Sequence, residues 1–258
     1  MIAELFSLEG RVALVTGGNG GLGRAVALGF QAAGAKVAIT GRNPAKNEAV
    51  AAELGPEAAV FSLDVRHEDG VARTVNGVVE RFGKLDILVN NAGNFLRVGS
   101  VADLPREVWD EVIETHLTGS FLCAKYAVRA MLAQGGGGKI INIGSMYSVF
   151  GTHNYVDYPT AKAGVGGLTR ALAVELGPNN IQVNAILPGW FPTEMSGDLP
   201  TGPVGDIIRG KTPAGRWGDP RELVGAAIFL ASHASDFVTG VQLPVDGGYL
   251  VMDRPRLE

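Results

Sequence analysis

Short, continuous apolar runs recur along this chain, separated by longer stretches in which apolar residues return at helical spacing. Val12-Ala-Leu-Val15 is the first run, and others follow at 37–40, 58–63, 85–89, 139–144, 181–187 and 241–245. Strands that show no polar alternation are buried on both faces, which is the habit of parallel sheets. The intervening patterns predict helices from the glycine cluster after Val15 through Phe30, then across 45–54, 68–82 and 106–133. Two more run from near Tyr158 through Leu176 and over 222–231. Seven strands alternating with helices require right-handed crossovers. The expected architecture is therefore α/β, one domain over 1–258, with a doubly wound, parallel, seven-stranded sheet and helices on both faces. One segment breaks the rhythm. Residues 190–212 are rich in Gly, Pro and Thr, with only 204–209 patterned as a helix. A loop this long inside a compact domain is functional or disordered.

Composition narrows the classes. Hydrophobic residues make up 46% of the 258 and charged residues 19%, which suits a buried sheet and excludes a disordered chain. The formal charge of -4 and the lack of a basic cluster exclude nucleic acid as a partner. The N-terminus lacks a basic segment followed by an apolar core, and no apolar run is long enough to cross a bilayer. A lone cysteine, Cys123, excludes a disulfide framework and fits a reducing compartment. A cytoplasmic protein with no membrane partner is expected. His67, His116, His153 and His233 show no ligand-like spacing, so no metal is expected.

Two stretches carry chemistry. Thr16-Gly17-Gly18-Asn19-Gly20-Gly21-Leu22-Gly23 lies between the first strand and the first helix. Glycines there let backbone N–H groups approach a pyrophosphate, and the helix N-terminus adds partial positive charge. Farther on, Tyr158 and Lys162 stand one helical turn apart. A free tyrosine titrates near pH ~10, and a neighbouring cation is expected to pull that value towards the range of general acid–base catalysis. Ser145 follows a strand and so stands where α/β sheets present ligands. The alternative reading of this second stretch is a surface Tyr–Lys pair beside a loop serine.

These motifs, in this order, resemble those of the short-chain dehydrogenase/reductase family. Thr16, Gly17, Gly21 and Gly23 match its glycine motif, Asp64-Val65 its adenine-contacting pair, and Asn90-Asn91-Ala92-Gly93 its signature after the fourth strand. Ser145, Tyr158 and Lys162 match its catalytic set, and Pro188-Gly189 with Thr193 its nicotinamide-contacting segment. The resemblance implies a Rossmann-type domain binding NADP or NAD through Gly17, Asn19, Gly21, Leu22, Gly23, Arg42, Asp64, Val65, Asn91, Ala92, Gly93, Tyr158, Lys162, Pro188, Gly189 and Thr193. It implies an enzyme that interconverts a small-molecule alcohol and ketone, with 190–212 covering the substrate. Tyr158 would be the acid in reduction and the base in oxidation, Lys162 would lower its pKa and hold the nicotinamide ribose, and Ser145 would hydrogen-bond the substrate oxygen. Assembly through the helices over 106–133 and 157–176 would give a homotetramer, or else a homodimer. On the first of these, Val108, Val112, Phe121, Leu122, Ala127 and Met131 exceed what one core-facing stripe needs.

Two residues depart from the family pattern. Pro159 follows Tyr158, and proline is tolerated only in a first helical turn, so the helix should begin close to Tyr158. His116 replaces an asparagine that helps to hold a water leading to the lysine. It is expected either to add an ionisation to the proton relay or to stay neutral through burial. Cofactor choice rests on Gly41-Arg42, where an acidic residue would select NAD; glycine followed by arginine favours NADP, with NAD the alternative. For substrate, the sequence resembles the family's sugar-acid and polyol dehydrogenases, with His153, Asn154 and Trp190 as pocket candidates. The alternative is a carrier-protein reductase docking an acidic partner on Arg97, Arg129 and Lys211. A reading of another class is a nucleotide-binding regulator with weak or lost catalysis.

Overall fold

The structure is a computed structural model that describes residues 2–95, 99–135 and 137–253. Its strands are β1 Val12–Val15, β2 Lys36–Gly41, β3 Ala59–Ser62, β4 Ile87–Asn90, β5 Gly138–Ile143, β6 Ile181–Pro188 and β7 Gln242–Val245. They form one parallel sheet in the order β3-β2-β1-β4-β5-β6-β7. The order reverses between β1 and β4, whose carboxyl ends therefore open a crevice for a ligand. The helices are α1 Ile2–Leu5, α2 Gly21–Ala32, α3 Pro44–Leu54, α4 Glu68–Phe82, α5 Arg106–Ile113, α6 Gly119–Gln134, α7 Asp157–Leu176, α8 Pro203–Lys211 and α9 Val224–Ala231.

The two-residue period of the strands sorts their side chains into two cores. Ala13, Val15, Val37, Ile39, Ile87, Val89 and Ile141 pack with Val26 and Phe30 of α2, Val50 of α3, and Ala227 and Leu230 of α9. Their neighbours Val12, Leu14, Ala38, Leu88 and Ile140 point the other way, against α4, α6 and α7. Helices thus cover both faces, and this explains why the strands read as continuous apolar runs.

The expected elements recur with small shifts at their ends. The strand expected over 85–89 lies at Ile87–Asn90, and the last helix opens with a 3₁₀ turn, Pro220–Leu223, before α9. Pro159 is the third residue of α7, within the first turn, where its missing N–H costs nothing. The helix expected over 106–133 is interrupted: α5 and α6 are joined by a π-helical turn, Glu114–Thr118. Helical periodicity cannot anticipate such a turn, because its contacts come from elsewhere. The Ser120 hydroxyl donates to the His116 carbonyl at 2.6 Å, and the His116 ring reaches Asn94 on the loop after β4. Of the six apolar residues noted on this stretch, Val112, Leu122, Ala127 and Met131 are core, Val108 is half-buried and Phe121 is exposed. Segment 190–212 contains α8 and two 3₁₀ turns, Glu194–Ser196 and Leu199–Thr201, so it is more ordered than its composition predicts. Among the described residues no helix is long and apolar enough to cross a membrane.

Candidate active site

The glycine loop is stapled to the loop after β4. Thr16 Oγ1 accepts from the backbone N–H groups of Asn91 and Ala92, both at 3.0 Å, and donates to Val89 O. Asn91 Nδ2 donates to the carbonyls of Thr16 at 2.9 Å and Gly17 at 3.0 Å. Gly17 has φ +62°, and a Cβ there would stand 3.0 Å from Ala92 Cα. A Cβ on Gly23 would run into Asn91 Nδ2 and Gly17 O. Only glycine lets these backbones meet. Gly20, before α2, makes no side-chain cap, so the first N–H groups of that helix keep their hydrogen-bonding capacity for an anion. Leu22 anchors the turn in the first core, and Gly93 lies against the His116 ring. This cradle fits a dinucleotide pyrophosphate.

The adenosine end is built around Gly41. The Asn19 carboxamide occupies the space that a side chain at Gly41 would fill, and donates to Asn47 Oδ1 at 2.7 Å. Asn47, buried on α3, donates in turn to Gly41 O at 3.0 Å. Position 41 itself therefore supplies no carboxylate to this corner, and Arg42 beside it is exposed. Asp64 is held by Arg66 through a forked ion pair at 2.6 Å, which with Arg42 nearby lowers its pKa to about 2. Val65 is buried against Gly119. Sequence reading missed Asn47, because nothing local distinguishes it from any other polar helix residue.

At the other end, Gly189 follows β6, and a Cβ on it would come 2.7 Å from Asp246 Cα. Pro188 is the last residue of β6. The Thr193 methyl lies 3.4 Å from where a Cβ on Gly21 would be, which brings the segment after β6 over the glycine loop. Lys46 on α3 pairs with Glu194 across the same groove. Both partners are well exposed, so this bridge contributes little to stability.

Ser145, Tyr158 and Lys162 converge beside this groove. Ser145 caps a 3₁₀ turn after β5, its Oγ accepting from Tyr147 N at 3.2 Å, and it stands close enough to the Tyr158 phenol to act on its pKa. Lys162 is buried and donates to Ile143 O at 2.8 Å, with Nζ 5.6 Å from the Tyr158 ring centroid. The Tyr158 ring meets those of Phe95, His116 and Tyr147 edge-on, at 5.3, 5.2 and 6.1 Å.

The expectation of a lowered tyrosine pKa needs correcting. Burial among these rings pushes Tyr158 up to about 12, and only Ser145 works against it. Burial also takes Lys162 down to about 7, so at neutral pH its ammonium is only partly charged. Desolvation sets the direction of both shifts. The phenol accordingly stays protonated at neutral pH in the ligand-free protein.

His116 is buried, with Nε2 2.7 Å from Asn94 O, and Nδ1 lacks a partner among the described residues. Burial first, then the charge of Lys162, lowers its pKa to about 3 against the raising effect of the Asn94 hydrogen bond. Of its two expected behaviours, the structure supports the neutral ring. Asn94 is a second position that sequence reading missed, although it directly follows the Asn90–Gly93 motif.

The substrate side is aromatic. Trp190 lies 6.3 Å from Tyr147, 5.4 Å from Trp217 and 6.4 Å from Tyr249. His153 and Asn154 are exposed. A cavity of about 150 Å³ behind Trp190, lined by Phe191, Arg216, Glu222 and Asp246, has none of the Ser–Tyr–Lys set in its wall. Of the basic residues considered for carrier docking, two are described. Arg129 lies over the Tyr126 ring near Glu68, Lys211 is at the end of α8, and Arg97 falls outside the described residues. Among the described residues, no group of His, Cys, Asp and Glu could hold a metal ion.

Known proteins share this arrangement across almost the whole chain. The family model described as Enoyl-(Acyl carrier protein) reductase matches residues 17–250. The 2-dehydro-3-deoxy-D-gluconate 5-dehydrogenase of Escherichia coli K12 is 41% identical over 97% of this chain and 99% of its own. The 5-keto-D-gluconate 5-reductase of the same organism is 40% identical over 96% and 98%. A gluconate 5-dehydrogenase from Burkholderia cenocepacia, solved with NADP and tartrate, superimposes with a TM-score of 0.92 at 38% identity, covering 97% of this chain and 99% of that one. Sheet order, glycine cradle and these matches agree: the chain belongs to the short-chain dehydrogenase/reductase family, oxidoreductases acting on CH–OH groups.

Proposed function

We propose that this enzyme interconverts a secondary alcohol and a ketone on a sugar acid or polyol, with NADP as the hydride carrier. The observation that carries this reading is the convergence of Ser145, Tyr158 and Lys162 beside the glycine cradle. The gluconate-type relatives supply the substrate class, and the NADP-bound relative supports the cofactor. When bound, the nicotinamide supplies or accepts the hydride. Gly17, Asn19, Gly21, Leu22, Gly23, Asn91, Ala92 and Gly93 would hold the nucleotide, with Asp64 and Val65 at the adenine, Arg42 at the ribose phosphate, and Pro188, Gly189 and Thr193 at the nicotinamide.

In ketone reduction, Tyr158 gives its proton to the substrate oxygen. Its raised pKa keeps the phenol protonated beforehand but makes it a weaker acid, so the transfer relies on Ser145 and a protonated Lys162 to stabilise the charge that develops. Ser145 donates a hydrogen bond to the same oxygen as negative charge develops there. In the reverse direction Tyr158 must act as base, and protonated Lys162 then stabilises the phenolate; filling the site and charging Lys162 are linked steps. His116 stays neutral and supports the π turn. The cover at 190–212 excludes water from the site.

Near-ultraviolet absorbance of the reduced nicotinamide, followed with aldonates, polyols and ketones and with NADP and NAD in turn, tests the reading. Turnover of aldonates or polyols with NADP is expected. Nucleotide binding without turnover of any member of the panel would favour the regulator instead.

A further inference from the structure

Segment 190–222 carries four cations. Three of them are neutralised within it. Arg209 pairs with Asp206, Arg216 forks onto Glu222 at 2.6 Å, and Arg221 pairs with Asp219. Lys211, the last residue of α8, has no carboxylate partner among the described residues. Its Nζ lies instead 4.3 Å from the centroid of the Tyr249 ring and 4.9 Å from that of Phe150, with the side chain half-buried. Ring faces attract an ammonium but accept none of its three N–H groups conventionally, so its donor capacity is unspent.

Those two rings belong to the wall that begins at the catalytic phenol. Phe150 is 5.8 Å from Tyr147, itself 6.1 Å from Tyr158, and Tyr249 reaches Tyr147 through Trp190. Met146, next to Ser145, and Ile208 of α8 pack in the same cluster. The wall thus offers apolar faces to sugar C–H groups along its length, with a positive charge at its far end that no described carboxylate pairs.

We infer that Lys211 binds the carboxylate of a sugar acid whose reacting carbinol lies at Tyr158, and so selects acids over neutral polyols. This rests on the sugar-acid reading above and adds the residue that would enforce it. A carboxylate suits the site better than a phosphate. Lys211 is a single compact cation, and the forked guanidinium groups of Arg209 and Arg216 are already committed to carboxylates. A neutral polyol can stack on the rings but gains nothing from the charge.

The test compares wild type, Lys211→Met and Lys211→Arg in the oxidation of D-gluconate and of D-glucitol, its neutral counterpart, at saturating NADP. Methionine keeps an unbranched apolar stem on the two rings and removes the charge. Lys211→Met is expected to lower the ratio of kcat/KM for acid over polyol by about tenfold or more, mainly through the KM of the acid. Lys211→Arg should retain most of the wild-type ratio, and added salt should erode the wild-type preference. A ratio unchanged in Lys211→Met, or equal losses on both substrates, overturns the assignment while leaving the sugar-acid reading intact. A wild type for which aldonates are neither substrates nor inhibitors overturns both.

Discussion

The imidazole of His116 stands edge-on to the phenol of Tyr158, with ring centroids 5.2 Å apart and planes at 89°. It is the packing partner of the proposed acid, and its pKa of about 3 keeps it uncharged throughout the working range. Wild type and His116→Asn should therefore give superimposable pH–rate profiles above pH ~5, well above that value. Stability should behave differently. Between about 3 and 6.5 the unfolded chain binds a proton on His116 that the folded protein does not, so stability falls as pH falls through that window. In His116→Asn this loss, about 1.4 kcal/mol for each pH unit, should be absent from urea unfolding curves. An alkaline or acid limb that the substitution removes from the rate profile would put His116 back into the proton chemistry.

Tyr158→Phe keeps the ring contacts to Phe95, Tyr147 and His116 and removes only the hydroxyl. Turnover should drop by a factor of about 10²–10⁴, while NADP affinity falls far less. Near-normal kcat in this variant would end the assignment of Tyr158 as the acid.

Arg42→Leu should weaken NADP binding roughly ten- to a hundredfold, with NAD little affected, because it removes one charge-assisted phosphate contact. Gly41→Asp alone should weaken both nucleotides, since its side chain displaces Asn19 and Asn47. Combined with Asn19→Gly and Asn47→Ala, which clear that space, Gly41→Asp should shift preference to NAD. Calorimetric titration of both nucleotides decides; equal NADP affinity in wild type and Arg42→Leu means that Arg42 is merely solvated.

Burial holds Lys162 at about 7 in the ligand-free protein, against 10.5 for the free side chain. Between those values the unfolded chain carries a proton that the folded one has lost, so stability rises with pH across that window. The slope is about 1.4 kcal/mol for each pH unit, and Lys162→Met should flatten it. Denaturant midpoints of the two proteins measured from pH ~7 to ~10 test this. Parallel curves would mean that the ammonium is solvated in the folded state.

Phe121 and Leu132 on α6 are each 46% exposed, and Val174 on α7 is 82% exposed. These residues fit the proposal of a homotetramer joined through the two helices, with a homodimer as the alternative. Phe121→Glu should shift the sedimentation profile towards smaller species at micromolar concentration. A wild-type monomer at that concentration rejects both assemblies.

Much of this protein is determined by short-range pattern. Runs such as Val12–Val15 are continuous because the sheet is covered on both faces, the glycine loop follows from where backbones must meet, and Tyr158 and Lys162 share a helix face by spacing alone. Each leaves its mark on residues only a few positions apart, even where, as for the glycine loop against Asn91 and Ala92, the partner lies far along the chain, so the sequence displays it. Tertiary structure decided what depends on the surrounding volume. The π turn at Glu114–Thr118 depends on Asn94 as well as on Ser120. Gly41 is shielded by Asn19 and Asn47, from a different loop and a different helix. Lys211 sits between rings from positions 150 and 249. The direction of the Tyr158 shift belongs to the same class. Spacing puts a cation nearby and predicts a lowered pKa, but Phe95, His116 and Tyr147 close around the phenol and exclude the water that would solvate its charge. Desolvation depends on everything that surrounds a group, and residues gathered from across the chain leave no local trace in the sequence.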